Sequence, residues 1–265
     1  MTKQIRALAR GLAVVNAIDS ANGPVSLGEL HHTTGIDRAT ILRILATLEQ
    51  EGWVYRGMGD KRYRLTYRLH YLGEHVSVHD AVAQVAAPIL EQLQEELGWP
   101  SDIAIYDGQG MAIIETSRRR TAIVLNREVI GYRPSMLKSA MGRAYLGFCD
   151  ERRLDSILAR LRQQGGEEGR LAGDMAYIRR LRERVQRLGY AQRDPSLFPL
   201  PSASEEEFDA IAVPVVVMGD VQACLSLVWV KSAHADEEGV EARFAARLSE
   251  SATALASTFE AHQLY

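Results

Sequence analysis

The sequence predicts an α+β chain of two modules: a small basic head of three helices and a hairpin, then a helical link to an antiparallel sheet flanked by helices. Three observations predict this. Apolar residues recur every three or four positions up to about Leu97, and beyond Gly98 runs of period two appear. Charge divides unevenly: residues 1–65 hold nine Lys+Arg against six Asp+Glu, a balance of +3, and the rest hold 22 against 28, or -6. Finally, 265 residues are long for one domain and comfortable for two. With 46% apolar and 25% charged residues, disorder, collagen-like repeats and a coiled-coil rod are excluded as descriptions of the whole. The expected boundaries are 1–66 for the head, 67–80 for the link and 81–265 for the sheet domain.

In the head, Ile5, Leu8, Leu12, Val15 and Ile18 predict the inner face of a helix over Gln4–Ser20, ended by Asn22-Gly23-Pro24. Ser26 and Glu29 have the Ser-x-x-Glu spacing of a capping box and open a short second helix that stops at Gly35. Asp37 caps a third helix over Arg38–Glu51, with Ile41, Leu45, Leu48 and Ile44 facing inward and Gly52 closing it. The turn Thr34-Gly35-Ile36-Asp37 has the length and central glycine of a helix-turn-helix. The third helix does not need Arg38, Ala39, Thr40, Arg43 and Thr47 for its apolar stripe. They point outward and, with Thr34, offer guanidinium, methyl and hydroxyl groups suited to base edges and phosphates. Two β-prone runs, Trp53–Arg56 and Arg62–Leu65, flank a glycine-rich turn and form a winged hairpin whose Arg56, Lys61, Arg62 and Arg64 can reach phosphates or a minor groove. Each piece alone also suits a protein-binding module or a solvated face; their order favours double-stranded DNA. Gly57 and Gly59 lack the third glycine and lysine of a phosphate loop and read as turn chemistry.

Leu69, Leu72 and Val76 continue a helical period over Tyr67–Val78, and a longer helix is predicted over Val82–Leu97 with Val85, Ile89, Leu93 and Leu97 on one face and a bend at Pro88. Strands are predicted at Ser101–Tyr106, Met111–Thr116, Thr121–Asn126, Tyr190–Arg193, Ala210–Val217 and Val221–Val230. Asp107–Gly110 and Met218–Asp220 supply hairpin turns. Helices are expected over Ala140–Cys149, Glu151–Arg162, Asp174–Leu188 and Glu237–Ala261, with Gln163–Gly169 a polar glycine-rich loop. The Arg179–Arg187 stretch, interleaved with Leu181 and Val185, reads as a solvated helix face.

The segments Arg10–Val14, Ser26–Leu30, Thr34–Thr40, Arg43–Leu48 and Glu51–Val54 together resemble the winged helix-turn-helix of IclR-family bacterial transcription regulators. Leu137–Ala144, Gly189–Ala191 and Ala210–Val215 extend the resemblance through the family's GAF-like effector domain, from about Arg10 to Leu255. Trp99–Asp102, the run to Phe148-Cys149 and Cys224–Val228 resemble the subgroup that activates 3-(3-hydroxyphenyl)propionate catabolism. The resemblance implies an effector cleft between the sheet and the loop and helix after the third strand. A single head with three or four base-edge contacts cannot reach operator specificity alone, so a homodimer or tetramer on a palindromic operator is expected, with RNA polymerase as a further partner.

The chemistry of that cleft can be argued from the residues. Ser139 precedes a helix whose first turn, Ala140, Met141 and Gly142, presents backbone N–H groups to a carboxylate, Gly142 allowing close approach. Tyr106, Met136, Met141, Ile211, Cys224 and Val228 supply an apolar wall, Ser226 can meet a ring hydroxyl, and Asp194 stands nearby. Each apolar residue serves equally as core, and Ser139 equally as a structural cap. By family correspondence Ser226 and Val228 fall where many members have two serines, and Ala210 where several have cysteine. The cleft is then more apolar than a glyoxylate- or pyruvate-type pocket, which favours an aromatic acid.

No catalytic constellation is expected. Cys149 and Cys224 have no adjacent base and form neither a disulfide framework nor a zinc ribbon, which fits a reducing cytoplasm. His75 and His79 stand four apart without a third ligand, so no metal is expected, and no cofactor. The alternative, a small-molecule enzyme with an accessory DNA module, would have to draw on Asp194, Glu115 and Arg143. The longest apolar runs fall short of the roughly 18 residues of a membrane span, and Lys3, Arg6 and Arg10 interrupt any signal-peptide core.

Overall fold

A computed structural model describes residues 4–21, 23–73, 77–118, 129–196, 207–235 and 237–265. The chain divides into two compact units, Met1–Ser77 and Val78–Tyr265.

In the first unit α1 (Arg6–Ser20), α2 (Leu27–Thr34) and α3 (Arg38–Gln50) precede the hairpin β1 (Val54–Arg56) and β2 (Tyr63–Leu65), and a short α4 (Arg68–Gly73) follows. The capping signals are realised: Ser26 accepts from the Glu29 N–H while Glu29 accepts from the Ser26 N–H, and Gly35 ends α2 at φ 65°. Asp37 accepts from the Thr40 N–H at 2.9 Å and opens α3. The core joins Leu30, Ile41, Leu45, Val54 and Tyr63 to Val14, Ala17 and Ile18 of α1. This corrects the expected face of α1. Ile5, Leu8 and Leu12 are exposed, because the residues of α1 that enter the core, Val14, Ala17 and Ile18, all lie in its C-terminal half.

Among the described residues, the second unit holds a five-stranded antiparallel sheet in the order β4-β3-β7-β6-β5. Its strands are β3 (Ser101–Tyr106), β4 (Met111–Thr116), β5 (Ala191–Gln192), β6 (Phe208–Val217) and β7 (Asp220–Val230). The strand expected at Thr121–Asn126 lies outside the described residues. Met218 and Gly219, both at positive φ (50° and 87°), make the two-residue turn between β6 and β7. The helices are α5 (Val78–Leu97), α6 (Ala140–Phe148), α7 (Glu151–Gln164), α8 (Gly166–Gly173), α9 (Met175–Leu188) and α10 (Val240–Ala261). The residues expected as a glycine-rich loop therefore end α7 and open α8. Gly165 and Gly166, at φ 72° and 67°, confine the break to one corner, and Glu167 and Glu168 sit favourably in the new helix's first turn.

Strand alternation sends side chains into two cores. On one face Ile103, Ile105, Ile211, Val213, Leu225, Leu227 and Trp229 pack against α5 and α10. The buried residues of α5 are Val82, Ala86, Leu90 and Leu93, one step round the helix from the expected stripe, of which Val85, Ile89 and Leu97 form the half-buried flank. On the other face Ala104, Met111, Ile113, Ala212 and Cys224 meet α6, α7 and α9. Gly147 lets α6 and α9 touch: a Cβ there would lie 2.5 Å from Val185 Cγ1. The Arg-rich face of α9 is exposed, and Ile178, Leu181 and Val185 are its buried stripe.

Candidate functional site

On α3 the burial of Ile41 and Leu45, 0% and 1% exposed, fixes the helix's rotation. Arg38, Ala39, Arg43 and Thr47 consequently face solvent, and Thr40 is half-buried. Arg43 Nη2 donates to Thr40 Oγ1 at 3.3 Å, which ties those two side chains together, and Thr47 Oγ1 donates to the Arg43 backbone carbonyl at 3.0 Å. Thr34 differs from expectation. Its hydroxyl donates to the Leu30 carbonyl (2.7 Å) and accepts from the Ile36 N–H (3.3 Å), which commits it to the turn.

The four wing bases are also unequal. Arg62 donates to Glu29 (3.2 Å) and to the Pro24 carbonyl (3.0 Å), and Arg64 pairs with Asp60 at 2.5 Å. That bond, with the Arg62 N–H, holds the Asp60 carboxyl down at about 2. Arg56 donates from Nε to the Lys61 carbonyl and lies 5.5 Å over the Tyr63 ring. Lys61 stands exposed at the turn at φ 55°. Two guanidiniums thus brace the hairpin, while Lys61 and Arg56 form its exposed basic edge.

In the second unit, Ser139 caps α6, accepting from the Gly142 N–H at 3.0 Å and donating to the Ser135 carbonyl at 2.5 Å. The Arg143 N–H returns to the Ser139 carbonyl. An α-helix leaves its opening N–H groups, here those of Ala140 and Met141, without intrahelical partners. Gly142 is small for a different reason from the one expected: a Cβ would fall 2.4 Å from the Met136 carbonyl oxygen, so its space belongs to the 135–136 backbone. Asp194 donates its N–H to the Lys138 carbonyl and pairs with Arg143 at 3.6 Å. Partial burial opposes its charge, but bonds from Ser196 and the nearby Arg143 and Lys138 hold its carboxyl below the usual range. The next residue, Arg193, donates its N–H to the Ala210 carbonyl. Ala210 lies opposite Val228, and Ala212 opposite Ser226.

Met136, Ala140, Met141, Cys224, Ser226 and Val228 therefore share the α6 side of the sheet, all buried. Ile211 does not. It belongs to the α5–α10 core, because the residue between Ala210 and Ala212 must point to the opposite face. Tyr106 is on the right face but engaged: it stacks on Tyr145 at 4.9 Å and accepts from Arg160 Nη1 at 3.0 Å. Burial raises the thiol pKa of both cysteines, that of Cys149 to about 11. His79 is exposed, and its partner His75 lies outside the described residues.

Two residues of this face were not singled out from the sequence. Asp102, 1% exposed, lies opposite Ser226 and receives Arg118 Nε at 2.9 Å, Arg118 Nη2 at 2.6 Å and Thr116 Oγ1 at 2.6 Å. Burial works against the Arg118 charge, and the Asp102 carboxylate outweighs it, leaving the guanidinium above its ordinary pKa. The available signal was a lone carboxylate inside an otherwise apolar strand. No described residue hydrogen-bonds the Ser226 hydroxyl beside it.

Two family profiles match the chain: the IclR helix-turn-helix domain over residues 7–57 and the bacterial transcriptional regulator IclR C-terminal domain over residues 74–257. The chain belongs to the IclR family. Among curated IclR-family relatives it is 29% identical over 162 residues to the acetate operon repressor of Salmonella typhimurium, covering 60% of this chain and 59% of that one. It is 26% identical over 221 residues to the Pca regulon regulatory protein of Pseudomonas putida, covering 83% and 72%. The chain thus spans about three fifths of the length of the first-named repressor. Solved IclR-type structures share the fold: the Thermotoga maritima IclR (TM-score 0.56, 20% identity, 96% and 99% covered) and a Microbacterium hydrocarbonoxydans IclR homolog complexed with 4-hydroxybenzoate (0.52, 22%, 96% and 99%).

Proposed function

We propose that this chain is a sequence-specific DNA-binding transcriptional regulator controlled by a small carboxylate effector, an aromatic acid of the hydroxyphenylpropionate kind, acting on an aromatic catabolic operon. One observation carries the reading: a rigidly capped α3 turns Ile41 and Leu45 inward and presents Arg38, Ala39, Arg43 and Thr47 to solvent as a row sized for a major groove. Lys61 and Arg56 then meet adjacent phosphates. Good base contacts discriminate by about 1 to 3 kcal/mol each, so one head alone is insufficient and two heads of a homodimer or tetramer read a palindrome.

The effector cleft is the α6 side of the sheet. The opening N–H groups of α6 receive the carboxylate, Met136, Met141 and Val228 bury the ring, and the Ser226 hydroxyl beside Asp102 meets a ring substituent. The 4-hydroxybenzoate complex of the Microbacterium homolog supports an aromatic acid. The ligand acts by preferring one arrangement of the oligomer, changing head spacing or contact with RNA polymerase, and its leverage cannot exceed its differential affinity for the two arrangements.

The experiment is DNA-binding anisotropy of the full chain with and without a panel of hydroxybenzoates and hydroxyphenylpropionates, with acetate and glyoxylate as controls. A shift in DNA affinity with an aromatic acid, weakened in Ser226→Ala, is expected. Recovery of a chemically altered acid would instead favour an enzyme.

A further inference from the structure

Arg160 on α7 carries two donors that no described residue uses. Its Nη1 donates to the Tyr106 hydroxyl at 3.0 Å and to the Gly108 carbonyl, fastening α7 to the β3–β4 turn. Its Nε and Nη2 are shut off from solvent and have no hydrogen-bond partner among the described residues. These two N–H groups form the side-on fork of a guanidinium, whose parallel donors match the two oxygens of one carboxylate. A guanidinium cannot shed its charge in a protein, so leaving its best-matched edge dry and unpaired is costly. Fastening the turn requires only the Nη1 donor.

We propose that the Arg160 fork is a second carboxylate-binding site, separate from the cleft at α6. Tyr106 ends β3 four residues after Asp102, about 13 Å along an extended strand, so this site sits at the opposite end of the same sheet face. Its walls are aromatic: the Arg160 guanidinium lies 5.7 Å from the Tyr106 ring centroid, and Tyr106 stacks on Tyr145. The cations beside the site are already engaged, Arg153 by the Tyr145 hydroxyl at 3.0 Å and by Asp220 at 3.6 Å, and Arg133 by Asp107 in the adjoining turn. One fork with one charge selects a monoanionic carboxylate over a phosphate dianion. Because both donor atoms are occluded, the ligand is a small free acid that enters when the Asp107–Gly110 turn lifts from Arg160; a carboxylate on another macromolecule cannot reach them.

The test reads arginine Nε–H resonances of the full chain, labelled with nitrogen-15, while acetate and then benzoate are added at constant ionic strength against chloride. The Arg160 signal is identified as the one missing from Arg160→Lys, or from Arg160→Gln should the lysine variant not fold. The proposal expects this signal to move downfield and saturate, in Ser226→Ala as in the parent chain, and expects Arg160→Lys to lose part of the thermal stabilisation that the acids confer. An Arg160 signal that stays fixed at concentrations saturating a millimolar site, or that chloride moves equally, would overturn it. Neither result bears on the α6 cleft, whose own readout is the Ser226→Ala loss of DNA response.

Discussion

Asp102 and Ser226 lie directly opposite one another in the β3–β7 ladder, both on the α6 side of the sheet, one gripped by Arg118 and the other without a bond from any described residue. A buried ion pair contributes little net stability, since desolvation cancels most of the attraction, yet removing one partner strands a charge. Arg118→Met should therefore cost about 3 to 5 kcal/mol, and the double variant Asp102→Leu/Arg118→Met should recover most of that loss, as urea midpoints of the three chains would show.

Gly142→Ala forces a methyl group to within 2.4 Å of the Met136 carbonyl oxygen, which is backbone and cannot swing aside. Overpacking of this kind costs about 1 to 3 kcal/mol. The expected outcome is a lower thermal midpoint, together with weaker aromatic-acid binding as the opening turn of α6 is displaced. Unchanged stability would mean that the 135–136 segment yields freely.

Acid stability should depend on Asp107. Its carboxyl bonds to Arg133 and to the N–H groups of Gln109 and Gly110, and is held at about 2 against an ordinary 3.8. A depressed folded-state value means that its stabilisation is complete above the unfolded value and is lost as pH falls from there through about 2. Asp107→Asn should lower stability at neutral pH and flatten its decline over that acid window, measured as urea midpoints at pH 7, 4 and 2.5.

Much of the fold was legible because its signals are local. The Ser26–Glu29 capping box, the Asp37 cap and the Gly35 stop are decided within a few residues, and α2 begins and ends, and α3 begins, where those signals put them. Where the outcome depends on distant partners, the sequence was silent or misleading. Ile5, Leu8 and Leu12 have a flawless helical period, yet all three are exposed among the described residues. Ile211 shares the composition of its neighbours, and only strand parity assigns it to the opposite core. Asp102 and Arg118 meet across two strands, and no spacing rule joins them. Arg62 has the residue type of a DNA contact, and the distant Pro24 carbonyl and Glu29 carboxylate engage it, whereas Thr34 and Arg64 bond to residues within four positions.

The bases of the head should separate by role. Arg38→Ala and Arg43→Ala should each relax preference at particular base pairs, costing about 1 to 3 kcal/mol on the preferred site, while Lys61→Ala should weaken all duplexes alike and reduce the salt slope by about 1. Arg64→Ala should act mainly through the hairpin, since it releases Asp60. Anisotropy titrations across a salt series distinguish these outcomes.

The most direct measurement is the affinity of the purified full chain, at 150 mM salt, for a duplex selected from a random pool, set against a scrambled duplex of the same composition. The account predicts a palindromic selected site bound at least about 10³-fold more tightly than the scramble, with that ratio collapsing in the Arg38→Ala/Arg43→Ala double variant. Equal affinity for the two duplexes, or a ratio untouched by the double variant, would contradict α3 as the element that reads DNA.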